Sequence, residues 1–518
     1  MSLGVLAPRV KAGVLDSERL NDFGTSRVKR KVIRVNATVI GSGFAGSILA
    51  WILTSRGKSV ALVDQVRHPR FAVGESSTPI ADSILRQLGD RYDLPELREL
   101  SCWGSWQRAY PDLPCGRKRG FSYFVHESGE SFSENRLGEK SLLVAASPTD
   151  DRADTHWHRA SIDTFFWKKA VAAGAVDLTG HRVVNLEHGR LSKPRVICKE
   201  CLDKASASSN EEIEIESEWV FDASGSSGVF SRFLKVEDQT RRLLTNTHAR
   251  FAHFEGIKPW SDVVGPEVRQ DFELPFSADD AAQHHLFSQG WMWMLRFQHG
   301  VTSVGYTAPT SSPLLSFEDL AEKYPTIGSL FSESRLVAPS GGPVVTQRLQ
   351  RWFAPHPQPR CVMLPTSALT LDPLHSTGIA HALAGVERLA EIVLSKDNPE
   401  QLLAKYSQVL TDETLLIDRL VQMAYRNLPR FELFATACML YFAGAIRCEE
   451  AYQAGESPSH LWNAGDEAFG QFVSWVDSRL DTADSSLLSE IRHRLEPWNT
   501  AGLMDAAVQN RYAYTATK

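Results

Sequence analysis

The sequence predicts an α/β protein with a parallel-sheet, dinucleotide-binding module and a helical C-terminal lobe. Two observations carry this. Residues 36–65, NATVIGSGFAGSILAWILTSRGKSVALVDQ, read as strand, glycine-rich turn, helix and strand. From about residue 400 the pattern becomes helical, in runs such as LLIDRLVQMAYRNL, FELFATACMLYFAGAIRCEEAY and SLLSEIRHRLEPW.

In the first unit Thr38–Ile40 is a short apolar strand, and Gly41, Gly43 and Gly46 form G-x-G-x-x-G. The first glycine permits the tight turn, the second lets a pyrophosphate approach the backbone, and the third lets helix and strand pack closely. Ala45 to Ser55 reads as a helix that stops before Gly57, and Phe44 and Ala45 at its start join the glycines as cofactor-binding candidates. The next strand is Val60–Val63. Asp64 at its end lies 23 residues after Gly41, against roughly 20 for an acid that binds a ribose hydroxyl.

A chain of 518 residues allows about three domains at ~150 residues each. Its net charge of −6 gives no global attraction to nucleic acid or an anionic membrane. No apolar stretch reaches the ~18 residues expected of a membrane span. The first 34 residues lack the apolar core of a secretory leader and carry RVKRK at 27–31, so a partly disordered N-terminal extension is expected, with organelle targeting as the alternative. Seven cysteines, an odd number, suggest no disulfide scaffold and fit a reducing cytoplasm. CKEC at 198–201 has no second pair nearby, so no metal is expected.

KASASSNEEIEIESE at 204–218 reads as a hairpin between edge strands. VFDASGSSG at 220–228, with Asp222 and Gly225, is a strand end and small-residue turn. In GESSTP at 74–79, Thr78 can cap a helix that starts at Pro79. In GWMWMLRF at 290–297, alternation puts Trp291 and Trp293 on one strand face and Met292 and Met294 on the other. DPLHSTGI at 372–379 feeds a helix N-terminus, where unpaired N–H groups and the positive dipole end await a negative partner.

Together these segments resemble the flavin-dependent halogenases, which share an FAD module with aromatic-ring hydroxylases; the resemblance covers roughly 36–395. It implies an FAD module of the hydroxylase or glutathione-reductase type with an inserted substrate-binding sheet. The expected divisions are 1–34 extension, 35–115, 151–235 and 346–395 FAD module, 116–150 substrate-side strands, 236–345 substrate-binding sheet and 396–518 helical lobe. Glu75 and Ser76 become flavin neighbours by analogy, as do Asp372 and Ile379. VFDASG becomes the second FAD segment. Arg159 in RASID either approaches the flavin or pairs with Asp163 across one turn. Thr377 and Gly378 would hold chloride or bromide, the alternative being a helix terminus that serves flavin alone. The tryptophans would form a substrate wall or simply a core strand.

Lys118, in CGRKRGFSYF, is assigned as the family's essential lysine, against the reading of Arg117-Lys118-Arg119 as a solvated turn. His375 stands where tryptophan halogenases generally carry a glutamate, which makes it the candidate base and an indole substrate less expected. LPTSA at 364–368 replaces the Gly-Asp-Ala of many FAD enzymes, which suggests weaker FAD retention. The resemblance implies that reduced FAD, supplied by a separate flavin reductase, and oxygen convert halide to hypohalous acid. Lys118 would then present the halogen to an electron-rich, small-molecule aromatic, free or carrier-bound. A hydroxylating monooxygenase, a saturase-like flavin reductase of isoprenoid double bonds, and a flavin-binding protein without turnover remain as alternatives.

Overall fold

The computed structural model describes residues 14–15, 30–189, 192–201, 211–264 and 274–514. Its first sheet holds Val176–Thr179, Val60–Asp64, Arg30–Ile40, Glu212–Asp222, Ser192–Glu200 and His181–Gly189 in that spatial order. The first four strands are parallel, and Cys361–Met363 joins the end of Glu212–Asp222 in parallel. The last three form an antiparallel meander.

Two expectations change here. The first strand begins at Arg30, inside the expected extension, rather than at Thr38. It aligns Arg30 with Glu212 and Arg34 with Glu216, so cross-strand charge pairing lets a polar segment enter the sheet. Arg30 Nε lies 2.8 Å from Glu212. Val14–Leu15 pairs with Val32 and Ile33 on the same strand. The second change is that Glu212–Asp222 is central, not an edge strand. Its alternating glutamates resemble an edge, but Arg30, Arg195 and Lys199 neutralise them from neighbouring strands. The hairpin tip at 202–210 lies outside the described residues.

The second sheet runs Arg335–Ala338, Thr247–Glu255, Val301–Pro309, Gly290–Arg296, Ala281–Phe287, Gly120–Val125, Ser141–Ala145 and Arg511–Tyr512. The two expected substrate-side segments therefore form one sheet. The C-terminal region is not helical throughout, because Arg511–Tyr512 returns to pair in parallel with Leu143–Val144. A two-stranded ladder, Cys115–Lys118 against Asp154–Trp157, lies beside this sheet.

Helices Phe44–Ser55, Pro79–Tyr92, Arg159–Ala172 and Gly378–Leu394 pack around the first sheet, and Pro399–Arg426 and Phe431–Gln453 dominate the lobe. Phe431–Gln453 has the length and apolarity of a membrane span, contrary to the expectation from sequence, but 72% of its apolar window is buried within the protein. Its apolar character is that of a helix enclosed on nearly all sides. One hydrophobic core runs through the first sheet and the lobe; a second lies behind the inserted sheet. Trp291 and Trp293 face the first core, Met292 and Met294 the second. Period-two alternation is thus realised in a strand buried on both faces.

Candidate functional site

The three glycines of the turn do different work. Gly41 has φ 111°, and a Cβ there would meet the carbonyl of Ala223 at 2.2 Å. A Cβ on Gly46 would meet the carbonyl of Gly41 at 2.1 Å. At Gly43 the nearest atom would be a guanidinium nitrogen of Arg70, at 3.3 Å. Gly41 and Gly46 are thus closed in by backbone, while Gly43 presents the open side to which a pyrophosphate can come.

Asp64 accepts from the Ser42 N–H at 2.8 Å and its hydroxyl at 2.9 Å. It lines a hollow with Arg70, Ala223 and Ser224. Asp222 is fully buried and accepts from the Ser224 and Phe230 N–H groups. Gly225 N–H donates to Ser367 Oγ at 2.9 Å. Asp222 and Gly225 therefore shape the turn, and their neighbours Ala223 and Ser224 face the hollow, a correction to the direct contact expected of Asp222. Ser367 also gives the LPTSA segment a structural task.

Arg159 forms a bidentate pair with Asp163 at 2.8 and 2.9 Å. It also donates to the carbonyls of Val73 and Gly74, while Asp163 accepts from the Phe44 N–H at 3.2 Å. Of the two readings of Arg159, the structure shows the pair: it ties the GESSTP loop to the start of the dinucleotide helix.

A large cavity opens beyond this helix. Glu75, Ser76, Trp291, Trp293, Asp372, Thr377, Gly378 and Ile379 all line it, so the structure gathers segments more than 200 residues apart. Ser376 has φ 54°, which turns the chain sharply into the helix Gly378–Leu394. A Cβ on Gly378 would meet nothing within 4 Å, so the backbone there is open to a ligand. Glu75 is bonded to His253 Nε2 at 2.9 Å, with both side chains buried.

Asp372 accepts from the hydroxyls of Thr247 and Tyr425, each at 2.9 Å, and from the Leu374 N–H at 3.2 Å. Tyr425 accepts in turn from Trp291 Nε1 at 2.8 Å. Burial pushes the Asp372 carboxyl up to about 6, opposed by these donors. Arg296 donates to the carbonyls of Ile257 and Lys258 and pairs with Asp279 at 3.1 Å.

Residues 76–78 form a wall. Ser76 lines the large cavity and Thr78 lines a second, smaller one. Between them the Ser77 carbonyl accepts from Lys118 Nζ at 2.5 Å. Lys118 is fully buried, with its ammonium 3.9 Å from the centroid of the Phe121 ring. The solvated-turn reading does not hold for this residue. Its neighbours Arg117 and Arg119 point away and pair with Asp150 and Asp280. Burial, helped by the Lys118 charge, pushes the His156 and His284 imidazoles down to about 3.

The position of His375 does not suit the base expected of it. Its ring lies flat on Tyr441, with centroids 4.2 Å apart, and lines neither cavity. Burial pushes its imidazole down to about 3. Sequence reasoning missed His253, His284, Thr247 and Tyr425, none of which lies in a recognisable motif. It also missed His381, three residues past Gly378, which lines the large cavity with Nε2 3.0 Å from the buried Glu413. In CKEC, Cys198 is buried and Cys201 is exposed, and no metal-holding cluster occurs among the described residues.

A parallel sheet with this glycine loop, an acid at the second strand and a long cavity beyond the helix defines a dinucleotide-binding flavoprotein. A family model for tryptophan halogenases matches residues 203–439, and one for NAD(P)-binding Rossmann-like domains matches 39–81. The chain is 25% identical to tetracycline 7-halogenase of Kitasatospora aureofaciens, over 79% of this chain and 73% of the relative. It is 24% identical to monodechloroaminopyrrolnitrin halogenase PrnC of Pseudomonas fluorescens, over 79% and 70%. The crystal structure of halogenase PltM superposes with a TM-score of 0.79 at 21% identity, covering 92% of this chain and 99% of that one. PltM has also been solved in complex with phloroglucinol and FAD. In sequence and in fold the chain is thus similar to the flavin-dependent halogenases.

Two predictions follow from this geometry. Gly43→Val should leave the fold intact, since its Cβ meets only side-chain atoms, but block the pyrophosphate; flavin fluorescence titration should show FAD binding lost while the circular dichroism is unchanged. Asp372, titrating at about 6 against ~3.9 when unfolded, binds its proton more tightly in the folded state. Its contribution to stability is full below the unfolded value and is lost as pH rises through about 6. Thermal unfolding should show wild type losing stability relative to Asp372→Asn across roughly pH 4 to 6.

Proposed function

We propose that this enzyme halogenates an electron-rich aromatic ring other than that of tryptophan, and that Lys118 carries the halogen to it. The observation that supports this best is the position of Lys118 in a wall between two cavities. FAD, bound and reduced, supplies with oxygen the oxidising power that converts chloride or bromide to hypohalous acid.

The rest of the reading concerns this chain's own residues. Gly43 and the first turn of the Phe44–Ser55 helix receive the pyrophosphate, and Asp64 the ribose. Glu75, Ser76 and Ile379 border the isoalloxazine. The N–H groups at Thr377 and Gly378 hold halide, a fit supported by the open space at Gly378 and the positive helix end. Trp291 and Trp293 close one side and keep water from the oxidant. Lys118 then hydrogen-bonds the hypohalous acid and polarises it toward the second cavity. Lysine suits this because it offers directed N–H donors on a side chain whose protonation can be tuned. That the relatives are named for tetracycline and a pyrrolnitrin precursor, and that one is solved with phloroglucinol, supports an aromatic substrate.

No second dinucleotide fingerprint is seen in the sequence, so reducing equivalents come from a separate flavin reductase. With FAD, NADH, halide and a test arene, the isolated protein should give no product until such a reductase is added. Fast NADH oxidation by the chain alone would instead favour a self-sufficient monooxygenase.

Lys118→Ala should still bind FAD, because the flavin cavity is built by other segments, yet lose halogenated product by about 100-fold or more. Lys118→Arg should not restore it, since the planar guanidinium cannot reproduce the ammonium geometry in a closed wall. Product mass with and without bromide, measured beside FAD affinity, reads all of these outcomes; hydroxylated product without halide would favour the monooxygenase.

A further inference from the structure

A line of histidines leads from the protein surface to the large cavity. Its inner end is Glu75, which lines that cavity and has its carboxylate 2.9 Å from His253 Nε2. His253 lies on the strand Thr247–Glu255 and is buried. Its ring centroid is 5.8 Å from that of His158, and the His158 ring is 4.7 Å from that of His299. His158 is half-buried, while His299, in the turn after the strand Gly290–Arg296, is exposed. The Trp157 N–H donates to the Glu75 carbonyl at 2.6 Å, which sets His158 beside the GESSTP loop. Phe297 packs against all three imidazoles, with centroids 5.4, 5.8 and 5.8 Å away, and Phe71 meets His253 at 4.9 Å. Polar and charged groups also face the line. The Ser161 hydroxyl is bonded to His158 Nδ1 at 2.8 Å. Glu255 acts on His299 and is itself paired with Arg335. Arg159, next to His158, is held by Asp163 and by the carbonyls of Val73 and Gly74.

We infer, on the reading of the large cavity as the flavin site, that His299, His158 and His253 pass protons from solvent to Glu75 and so to the reaction. The hydrogen balance of the proposed function calls for such a path. Halide, oxygen and reduced FAD give hypohalous acid, water and oxidised FAD. Oxygen takes two electrons from halide and two from the reduced cofactor. The hypohalous acid and water together carry three hydrogens, of which the reduced cofactor supplies at most two, so each turnover draws at least one proton from solvent. Transfer of the halogen to a ring sends the displaced ring proton to the hydroxide as water and leaves that balance unchanged. A bound flavin displaces water from the cavity, and Trp291 and Trp293 close one side, so the proton needs carriers within the protein. A neutral imidazole has one donor and one acceptor nitrogen, so it takes a proton on one side and releases one on the other. Burial, with His299 and His253, pushes the His158 imidazole down to about 4. Burial, with His253, also lowers His299 against the pull of Glu255. At neutral pH both rings are therefore neutral, able to relay a proton rather than hold it. Their spacing lets a proton pass directly or through one bridging water. Glu75 is the member that meets the cofactor, and the three histidines act through it.

The test follows proton movement in the resting protein, with oxidised FAD bound and no substrate or oxygen turnover. Magnetic resonance on protein carrying isotope-labelled histidine reads how fast the His253 ring N–H exchanges with solvent. His158→Phe, which keeps a flat ring but removes both nitrogens, should slow that exchange by about tenfold or more, with FAD affinity unchanged. His299→Ala, at the exposed end, should slow it by about threefold, and imidazole added to the buffer should restore the rate; this variant serves if His158→Phe folds poorly. A histidine that only props the wall would, when replaced, leave the exchange unchanged or quicken it by loosening the packing. Exchange as fast as wild type in either folded variant would overturn the inference. With reduced FAD, oxygen and halide, proton uptake read by a pH indicator should slow in the same variants. Slowed exchange in a loaded protein that forms no halogenated product would leave the proton path standing and sink the proposed halogenation; halogenation with exchange unaffected would do the reverse.

Discussion

A single buried carboxylate joins the three parts of this molecule. Asp372 receives one hydrogen bond from Thr247 in the inserted sheet, one from Tyr425 in the helical lobe, and one from the backbone of its own turn. Tyr425 passes the connection to Trp291 on the cavity wall. Each of these donors would cost roughly 1–3 kcal/mol if left buried without an acceptor. The turn that carries Thr377 and Gly378 follows five residues later, so the opening of its backbone toward the cavity depends on where Asp372 is pinned. The raised carboxyl pKa reflects how deeply that joint is buried.

What could be read from sequence follows from how local each feature is. The glycine turn, its helix and the following acid are governed by contacts within about 25 residues, and the structure shows them close to where the pattern puts them. The alternation of tryptophan and methionine is likewise a property of one strand. The Asp372 joint is different, because its partners lie 125 and 53 residues away in segments without a motif. The same is true of His253 against Glu75, separated by 178 residues.

Two misreadings have a common physical cause. Residues 30–36 and 212–218 look solvent-exposed because three basic residues interrupt the first and glutamates alternate along the second. Placed side by side, each supplies the counter-charges of the other, and a central strand pair results. Lys118 was legible as a residue but not as an environment. A run of three basic residues does not reveal that the strand pleat turns the outer two to carboxylates and the middle one inward. His375 was placed by a motif match, and only packing against Tyr441 reveals that its ring is covered.

The pleat of the strand Gly290–Arg296 bears on the working lifetime of the protein. An enzyme that makes a diffusible halogen oxidant inside itself endangers its own sulfur atoms, since thioethers and thiols are the softest nucleophiles a chain offers. The strand that walls the flavin cavity contains two methionines, and both point to the opposite side, into the second core. Among the described residues that line the two cavities flanking Lys118, none is methionine or cysteine, although the chain has seven of each. On the proposed function, oxidant that missed the substrate would meet rings, hydroxyls and aliphatic carbon before it met sulfur, so the direction in which alternate side chains point would slow self-inactivation.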